Sequence, residues 1–276
     1  MLHLHRFAVA VSMLVVTLIM PGSAVSENLV FQGQIEANQR GVLSSQLDGV
    51  ISEVRFIGGE PVEKGQVLIT LDPRDAELAM KSAEATLTRA LAEQENAQSA
   101  AERQERLSDR GVASDAEVIG ARTALAVSRA NVQSAQATLE RAKLDLSRTE
   151  IRSPVTGFVS TPKVSPGTFV EAESGAPLGE VLALDPVVVA YRAPYADRLA
   201  TLEQTNVDSV DALLRNIRIS LTLPGGRPYP ETATPHVAEA TVDPATGTIT
   251  IRARIANPDL LLRPGMAVTV HSEVVQ

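Results

Sequence analysis

The sequence contains no cysteine and no tryptophan among its 276 residues, and only 3% of the residues are aromatic. Without cysteine there is no disulfide framework, no thiol nucleophile and no cysteine-based zinc or iron–sulfur site. The formal net charge of −8 argues against nucleic acid as a partner, because phosphate binding relies on clustered lysine and arginine. The composition, with 44% hydrophobic and 21% charged residues, is that of a folded chain with room for two or three small domains.

Histidine offers no metal site either. His3 and His5 lie in the first few residues, while His236 and His271 are isolated from each other and from other candidate ligands in the sequence. A lone histidine is more often structural or solvated than a ligand, so we predict no metal.

Residues 1–26 have the composition of a secretory signal peptide. Arg6 supplies a positive charge, 14 largely apolar residues follow it, and Pro21 ends the apolar run before a small-residue stretch. A membrane-spanning helix needs roughly 20 apolar residues, which favours cleavage over the alternative of a retained anchor. We expect the mature chain to begin between Val25 and Glu27.

Residues 73–149 are predicted to form a hairpin of two long helices. No glycine or proline occurs between Arg74 and Arg110, and the composition is rich in helix formers. Asp72 is placed to cap the first helix, with Pro73 at its first position. Helices of about 35 residues, roughly 50 Å long, must fold back on each other.

The sequence SDRGVAS marks the break between the two helices. Gly111 is suited to a left-handed conformation after the first helix, and Ser114 begins a capping box with Glu117.

Apolar and small residues follow steps of three and four along both helices, which is the spacing of a coiled-coil seam. In the first helix the seam is Ala76, Met80, Ala83, Leu87, Ala90, Gln94, Ala97, Ala101 and Gln104. In the second it is Val118, Ala121, Leu125, Ser128, Val132, Ala135, Leu139, Ala142 and Leu146. Composition alone favours a self-sufficient hairpin in solvent, and the alternative is that the small seam residues leave surface on which further helices pack.

Two β-units of similar layout flank the hairpin, at residues 45–72 and 150–184. Each begins with a glycine turn, at Gly49 or Gly157, and ends in a strand of similar sequence, GQVLITLD or GEVLALD. We interpret them as two halves of one β-sandwich. The β patterns and the short helix in residues 185–276 predict a small barrel. Residues 27–44 are predicted to add one or two strands that pair with strands later in the chain.

The two halves resemble the lipoyl and biotinyl carrier fold, in which a tight turn between the halves carries a modified lysine. Here Pro73 and Arg74 stand at that turn and the chain continues into the helices instead. The resemblance without its lysine implies no attached cofactor.

A lipoyl-like sandwich that is split by a helical hairpin and followed by a barrel resembles the periplasmic adaptor, or membrane fusion protein, family of Gram-negative efflux pumps. The fold class is then α+β. The segments ALDPVVVAYRAPYADRL and ATVDPATGTITIRARIANPDLLLRPGMAVTV are similar to barrel signatures of adaptors that serve resistance–nodulation–division (RND) transporters. Within the second segment, Gly247 suits a left-handed turn position and Gly265 a type II turn, so both are predicted to define the fold.

The resemblance also implies a site at the hairpin tip, where family members meet an outer-membrane channel. The family pattern is an arginine, a leucine four residues on and a serine seven further, and Arg103, Leu107 and Ser114 have this spacing. The alternative is that Leu107 and Ser114 only close the turn and Arg103 is solvated.

By resemblance, the protein is a non-enzymatic periplasmic adaptor, associated with the inner membrane, that forms a ring and links an inner-membrane RND transporter to an outer-membrane channel. Alternatives are an adaptor for an ABC-type or heavy-metal exporter, an envelope scaffold without a transport role and, more remotely, a lipoyl or biotinyl carrier. One departure concerns the membrane-proximal domain that usually follows the barrel. Only about six residues are expected after the last barrel strand, so this domain is either absent or reduced to a remnant in residues 27–44.

Overall fold

The computed structural model describes residues 29–205 and 209–275. The strands are β1 (Leu29–Leu43), β2 (Gly49–Val54), β3 (Pro61–Val62), β4 (Val67–Leu71), β5 (Glu150–Arg152), β6 (Gly157–Val159), β7 (Phe169–Val170), β8 (Gly179–Pro194), β9 (Ile217–Thr222), β10 (Pro228–Ala233), β11 (Pro235–Ala238), β12 (Thr248–Ile255) and β13 (Ala267–Val274). The helices are α1 (Arg74–Ser108), α2 (Asp115–Arg148), α3 (Tyr195–Thr205) and α4 (Val210–Arg215), with a 3₁₀ turn at Ala172–Ser174.

The predicted signal peptide, residues 1–26, lies outside the described residues. Within the described ranges, no helix has both the length and the apolar character required to cross a bilayer.

The sandwich is built from strands of both β-units. One sheet has the order β5-β4-β2-β7, and the facing layer is formed by β3, β6, β8 and the end of β1. Their inner faces share one apolar core that includes Leu43, Ile51, Leu68, Val159 and Val181. The prediction of a single sandwich made from two halves is therefore confirmed.

An approximate two-fold relation connects the two halves strand by strand. Gly49 at the start of β2 pairs with Val170 in β7, and Gly157 at the start of β6 pairs with Val62 in β3. Neither glycine lies in a turn with positive φ, which corrects the prediction of glycine turns at these positions. Gly157 is nevertheless needed for close packing, because a Cβ there would lie 2.3 Å from the carbonyl oxygen of Leu182.

The hairpin leaves the sandwich between β4 and β5, which pair with each other as antiparallel neighbours. Every residue of the predicted seam on both helices is buried or half-buried, so the heptad prediction is confirmed. The start of α1 is corrected by one position: Pro73 is the N-cap residue and the helix begins at Arg74. Asp72 still accepts a hydrogen bond from the Arg74 backbone N–H, at 3.2 Å, and the Arg74 side chain holds the pKa of Asp72 at about 2.

The barrel has the strand order β10-β9-β13-β1-β8-β12-β11. The two outer strands of this sequence, β10 and β11, are consecutive in the chain and separated only by Thr234. One bent strand therefore pairs with β9 at one end and β12 at the other, which closes the sheet into a cylinder. Helices α3 and α4 connect β8 to β9 in the sequence. Both bury side chains at the end of the barrel where β8 ends.

Strands β1 and β8 run through both the barrel and the sandwich. β1 pairs with β13 and β8 in the barrel and continues alongside β8 into the sandwich, with a register shift between Ala37 and Gln39. Residues 29–43 thus form one strand that the barrel and the sandwich share. At the other end of the chain β13 extends to Val274, so two residues follow it and not about six.

Candidate functional site at the hairpin tip

The tip is a short connection that is closed by backbone hydrogen bonds. The carbonyl oxygen of Leu107 accepts hydrogen bonds from the backbone N–H groups of Arg110, at 3.2 Å, and Val112, at 2.9 Å. Gly111 has φ +71, a left-handed conformation that favours glycine. The C-cap of α1 is Asp109, so Gly111 lies two residues beyond the cap. The chain therefore reverses within six residues, from Asp109 to Ser114.

Ser114 begins α2 with a complete capping box. Its hydroxyl oxygen accepts from the Glu117 backbone N–H at 3.4 Å, and Glu117 Oε2 accepts from the Ser114 backbone N–H at 2.8 Å. The Ser114 hydroxyl also donates to Glu117 Oε2 at 2.9 Å. These bonds lower the pKa of Glu117, because they favour the charged carboxylate.

The structure brings Arg103, Leu107 and Ser114 to the same end of the hairpin. Arg103 is exposed on the last turns of α1 and forms no ion pair with any residue in the described ranges. Leu107 is half-buried one helical turn further on. Ser114 is exposed, but its hydroxyl is occupied by the capping box. The arrangement offers a free guanidinium, a partly covered apolar side chain and a small residue.

Two features of the tip were missed from the sequence. Val112 at the apex is 72% exposed and Ile119 on the first turns of α2 is 63% exposed, so the tip presents apolar surface beyond Leu107. Arg122 Nε donates to Glu105 Oε1 at 2.7 Å across the two helices. The exposure of Val112 could have been inferred from its place beside Gly111, whereas the Arg122–Glu105 pair requires the register of the helices.

Gly247 and Gly265 lie far from the tip, in the barrel. Gly247 has φ +65 and donates its N–H to the Asp243 carbonyl at 2.8 Å. Gly265 has φ +91 in a turn in which the Met266 N–H donates to the Arg263 carbonyl at 3.0 Å. Both glycines adopt conformations that L-residues rarely accept, and they act in the fold of the barrel.

Two sequence expectations concern a metal site and a carrier lysine. The described part of the chain contains no group of three or more His, Asp or Glu side chains that could hold a metal ion. Where a carrier lysine would stand, β4 ends at Leu71 and Pro73 caps α1.

Family models cover most of the chain. The model described as "RND MFP, barrel-sandwich hybrid domain" matches residues 41–181, and the model described as "RND MFPs, beta-barrel domain" matches residues 186–276. The chain belongs to the RND membrane fusion protein family. The resemblance inferred from the sequence motifs is thereby confirmed, as is the α+β fold of a lipoyl-like sandwich, helical hairpin and barrel.

Curated members of the RND membrane fusion protein family are similar in sequence. "Multidrug resistance protein MdtE" of Escherichia coli is 33% identical over 224 residues, which cover 81% of this chain and 58% of that protein. "Toluene efflux pump periplasmic linker protein TtgD" of Pseudomonas putida is 31% identical over 239 residues, 86% of this chain and 58% of that protein. This chain spans less than two thirds of the length of these relatives.

Solved structures of membrane fusion proteins share the fold. The membrane fusion protein Spr0693 of Streptococcus pneumoniae R6 has a TM-score of 0.68 at 15% identity, with 90% of this chain and 99% of that chain covered. A MacA–MexA chimeric protein with the Pseudomonas aeruginosa MexA α-hairpin has a TM-score of 0.64 at 21% identity, with 91% and 80% covered. At these identities the likeness supports the fold alone.

Proposed function

We propose that the chain is the periplasmic adaptor subunit of a tripartite RND efflux pump, in which it links an inner-membrane RND transporter to an outer-membrane channel. The observation that carries the proposal is the match of two consecutive RND membrane fusion domains, the first of which contains a long hairpin with an exposed tip. A relative that is named as an efflux-pump periplasmic linker supports the same role.

The tip is the proposed contact with the outer-membrane channel. Leu107 and Val112 supply apolar surface, and the free guanidinium of Arg103 can donate to carbonyl or carboxylate oxygens of the channel. Ser114 is small enough for close approach while its own hydroxyl caps α2. Each contact is modest alone, and several copies in a ring would act together.

Self-association into a ring is the second part of the proposal. The outer face of α2, away from the seam with α1, carries an exposed stripe of apolar and small residues: Ile119, Ala126, Ala130, Ala137 and Leu144. Small residues allow helices to approach closely, so this face suits a neighbouring hairpin. The alternative of a self-sufficient hairpin in solvent predicts a monomer.

We propose a non-enzymatic role at the periplasmic face of the inner membrane. Binding surfaces carry the function and the transporter supplies the energy. Pro73 and Arg74 at the carrier position argue against the remote alternative of a lipoyl or biotinyl carrier. Adaptors of ABC-type or heavy-metal exporters are alternatives on the same fold, and the matched models favour the RND class over them.

Export and the lack of a carrier group are tested on the purified protein. N-terminal sequencing of periplasmic protein should start between Val25 and Glu27, and intact-mass analysis should show no lipoyl or biotinyl addition. An intact Met1 recovered only from inner membranes would establish a retained anchor. A stoichiometric adduct on any lysine would overturn the non-carrier proposal.

Tip docking is tested by charge introduction. Arg103→Asp and Leu107→Asp should abolish drug resistance, because a reversed charge at a partly desolvated contact costs about 2–5 kcal/mol, roughly 30-fold to several thousand-fold in affinity. Protein level and helicity by circular dichroism should stay near wild type, since Arg103 is exposed, where substitutions usually change stability by about 0.5 kcal/mol, and the half-buried Leu107 lies outside the buried clusters of the hairpin. The matched controls Arg89→Asp and Leu91→Asp, exposed on α1 far from the tip, should retain resistance.

The lack of cysteine permits a direct contact measurement. A single cysteine at Val112 should cross-link to the outer-membrane channel in cells, and one at the similarly exposed Leu78 near the base should not. Resistance that persists in both tip variants at wild-type protein levels would reject channel docking. Loss of folded protein would favour the alternative in which Leu107 and Ser114 only hold the turn, and a monomer in cells would reject the ring.

A further inference from the structure

Helix α3 covers the end of the barrel, where its apolar side chains Tyr195 and Leu202 pack half-buried against the core. It follows β8 directly, at the end of that strand farthest from the sandwich. Among its residues with described side chains, the two that are buried are Arg198, 1% exposed, and Thr201, 5% exposed. The adjoining helix α4 instead buries Leu213 and Leu214. α3 therefore lacks the fully buried apolar face that normally fastens a surface helix to a core.

Arg198 is a buried charge that forms no ion pair with a side chain in the described ranges. Its Nε and Nη2 atoms have no hydrogen-bond partner, and no carboxylate in the described ranges forms a salt bridge with it. The neighbouring Asp197 is exposed and contributes only a long-range attraction. Burial lowers the pKa of Arg198.

Among the described residues, the guanidinium has an aromatic contact. Its central carbon lies 5.2 Å from the ring centroid of Phe31, and Phe31 stacks on Tyr191 with ring centroids 5.5 Å apart. A cation–π contact recovers only part of the hydration energy that a buried guanidinium loses. Even a buried ion pair can often be replaced by apolar side chains of similar volume without loss of stability, so a buried guanidinium that lacks a carboxylate partner is expected to be unfavourable.

We propose that α3 is a releasable cover on the barrel, and that the unpaired Arg198 guanidinium weakens its attachment. When α3 lifts, the guanidinium regains water and the cost of its burial disappears. The same movement uncovers the stacked Phe31–Tyr191 pair at the end of the barrel that points away from the hairpin. Local opening of this kind proceeds without unfolding of the strands beneath. The proposal is independent of the proposed transport function.

Hydrogen exchange measured by mass spectrometry on the full mature chain tests this proposal. Arg198→Met keeps an unbranched side chain without the charge, and it should slow exchange of α3 amides at least tenfold. Exchange in β12 should stay unchanged. Arg192→Met is the matched control, because Arg192 is exposed only six residues away, and it should leave α3 exchange as in the wild type. Unchanged or faster α3 exchange in Arg198→Met would overturn the proposal.

A thiol-labelling experiment gives a second readout, since the chain has no cysteine of its own. A cysteine at Leu202, half-buried on α3, should react with a soluble thiol reagent several-fold more slowly when Arg198→Met is also present. A cysteine at Leu213, buried on α4, should label at the same rate in both backgrounds. Equal labelling of the Leu202 cysteine with and without Arg198→Met would contradict the release of α3.

Discussion

The barrel and the hairpin differ in the contacts that stabilise them. In the barrel, strands that are distant in sequence turn alternate residues inward, and Val189, Ile251 and Val270 are completely buried in one continuous core. The hairpin buries two small clusters instead, centred on Ala83 with Leu139 and on Ala90 with Val132. The barrel is therefore held by long-range contacts, and the hairpin by helix propensity, caps and a narrow seam.

The largest expected difference between the barrel and the hairpin is in the free energy of unfolding that is lost when a core residue is truncated to alanine. Ile251→Ala in the barrel should lower the free energy of unfolding by about 4 kcal/mol, because the rigid cylinder cannot collapse around the cavity. Leu139→Ala in the hairpin should cost about 2 kcal/mol, since neighbouring helices can shift together. Urea denaturation of both variants measures the difference, and equal losses would contradict it.

The second comparison uses the two-fold relation within the sandwich. Gly157→Ala places a Cβ 2.3 Å from the Leu182 carbonyl oxygen and should cost about 3 kcal/mol. Its counterpart Gly49→Ala meets only the Leu71 side chain at 3.7 Å and should change stability by less than about 1 kcal/mol. Thermal unfolding of the pair is the measurement, and similar losses for both would show that the halves are equally tight.

At the tip, removing the cap should act locally. Ser114→Ala removes an N-cap and should cost about 1 kcal/mol, mainly in the first turns of α2. Because the pKa of Glu117 is lowered in the folded state, its contribution is present above the ordinary glutamate pKa and is lost as the pH falls through the lowered value. The protection factors of amides in the first turns of α2, corrected for the intrinsic pH dependence of exchange, should therefore fall at acidic pH in the wild type and less so in Glu117→Gln.

The smallest effect is a gain in the barrel. Leu260 has φ +53, the one non-glycine residue with positive φ in the described ranges. Leu260→Gly should relieve this strain and raise stability by about 0.5 kcal/mol after the entropic cost of glycine. Leu261→Gly is the control and should destabilise the protein. A loss of stability in Leu260→Gly would show that its half-buried side chain outweighs the strain.

The same contrast explains what could be predicted from the sequence. The hairpin was predictable in detail, including the seam and the Ser114 capping box, because its signals are local. The halves of the sandwich were recognisable by their repetition. The course of β1 was not, since nothing within Leu29–Leu43 reveals that one strand serves two units. Arg198 was also missed, because its burial depends on how α3 lies on the barrel.

At the tip, the placement of Arg103, Leu107 and Ser114 at one end followed from the break in the helices. The exposure of Val112 and the Arg122–Glu105 pair depended on three-dimensional register. The assigned N-cap, Pro73, lies one residue after the predicted cap, but Pro73 has helical backbone angles, with φ −84 and ψ −7, and Asp72 makes the hydrogen bond of a capping side chain to the Arg74 N–H.

The shared course of β1 and β8 has a mechanical consequence. The two strands are antiparallel partners from Gly33 opposite Tyr191 to Leu43 opposite Gly179, across the whole junction of barrel and sandwich. Because both strands run continuously from the barrel into the sandwich, a force that pulls the two units apart is carried along two covalent backbones, and it acts in shear on their hydrogen bonds to β13, β12 and β6. The register shift near Ala37 leaves a local bending point in the same ladder. We therefore expect the junction of barrel and sandwich to resist extension but to bend at the register shift.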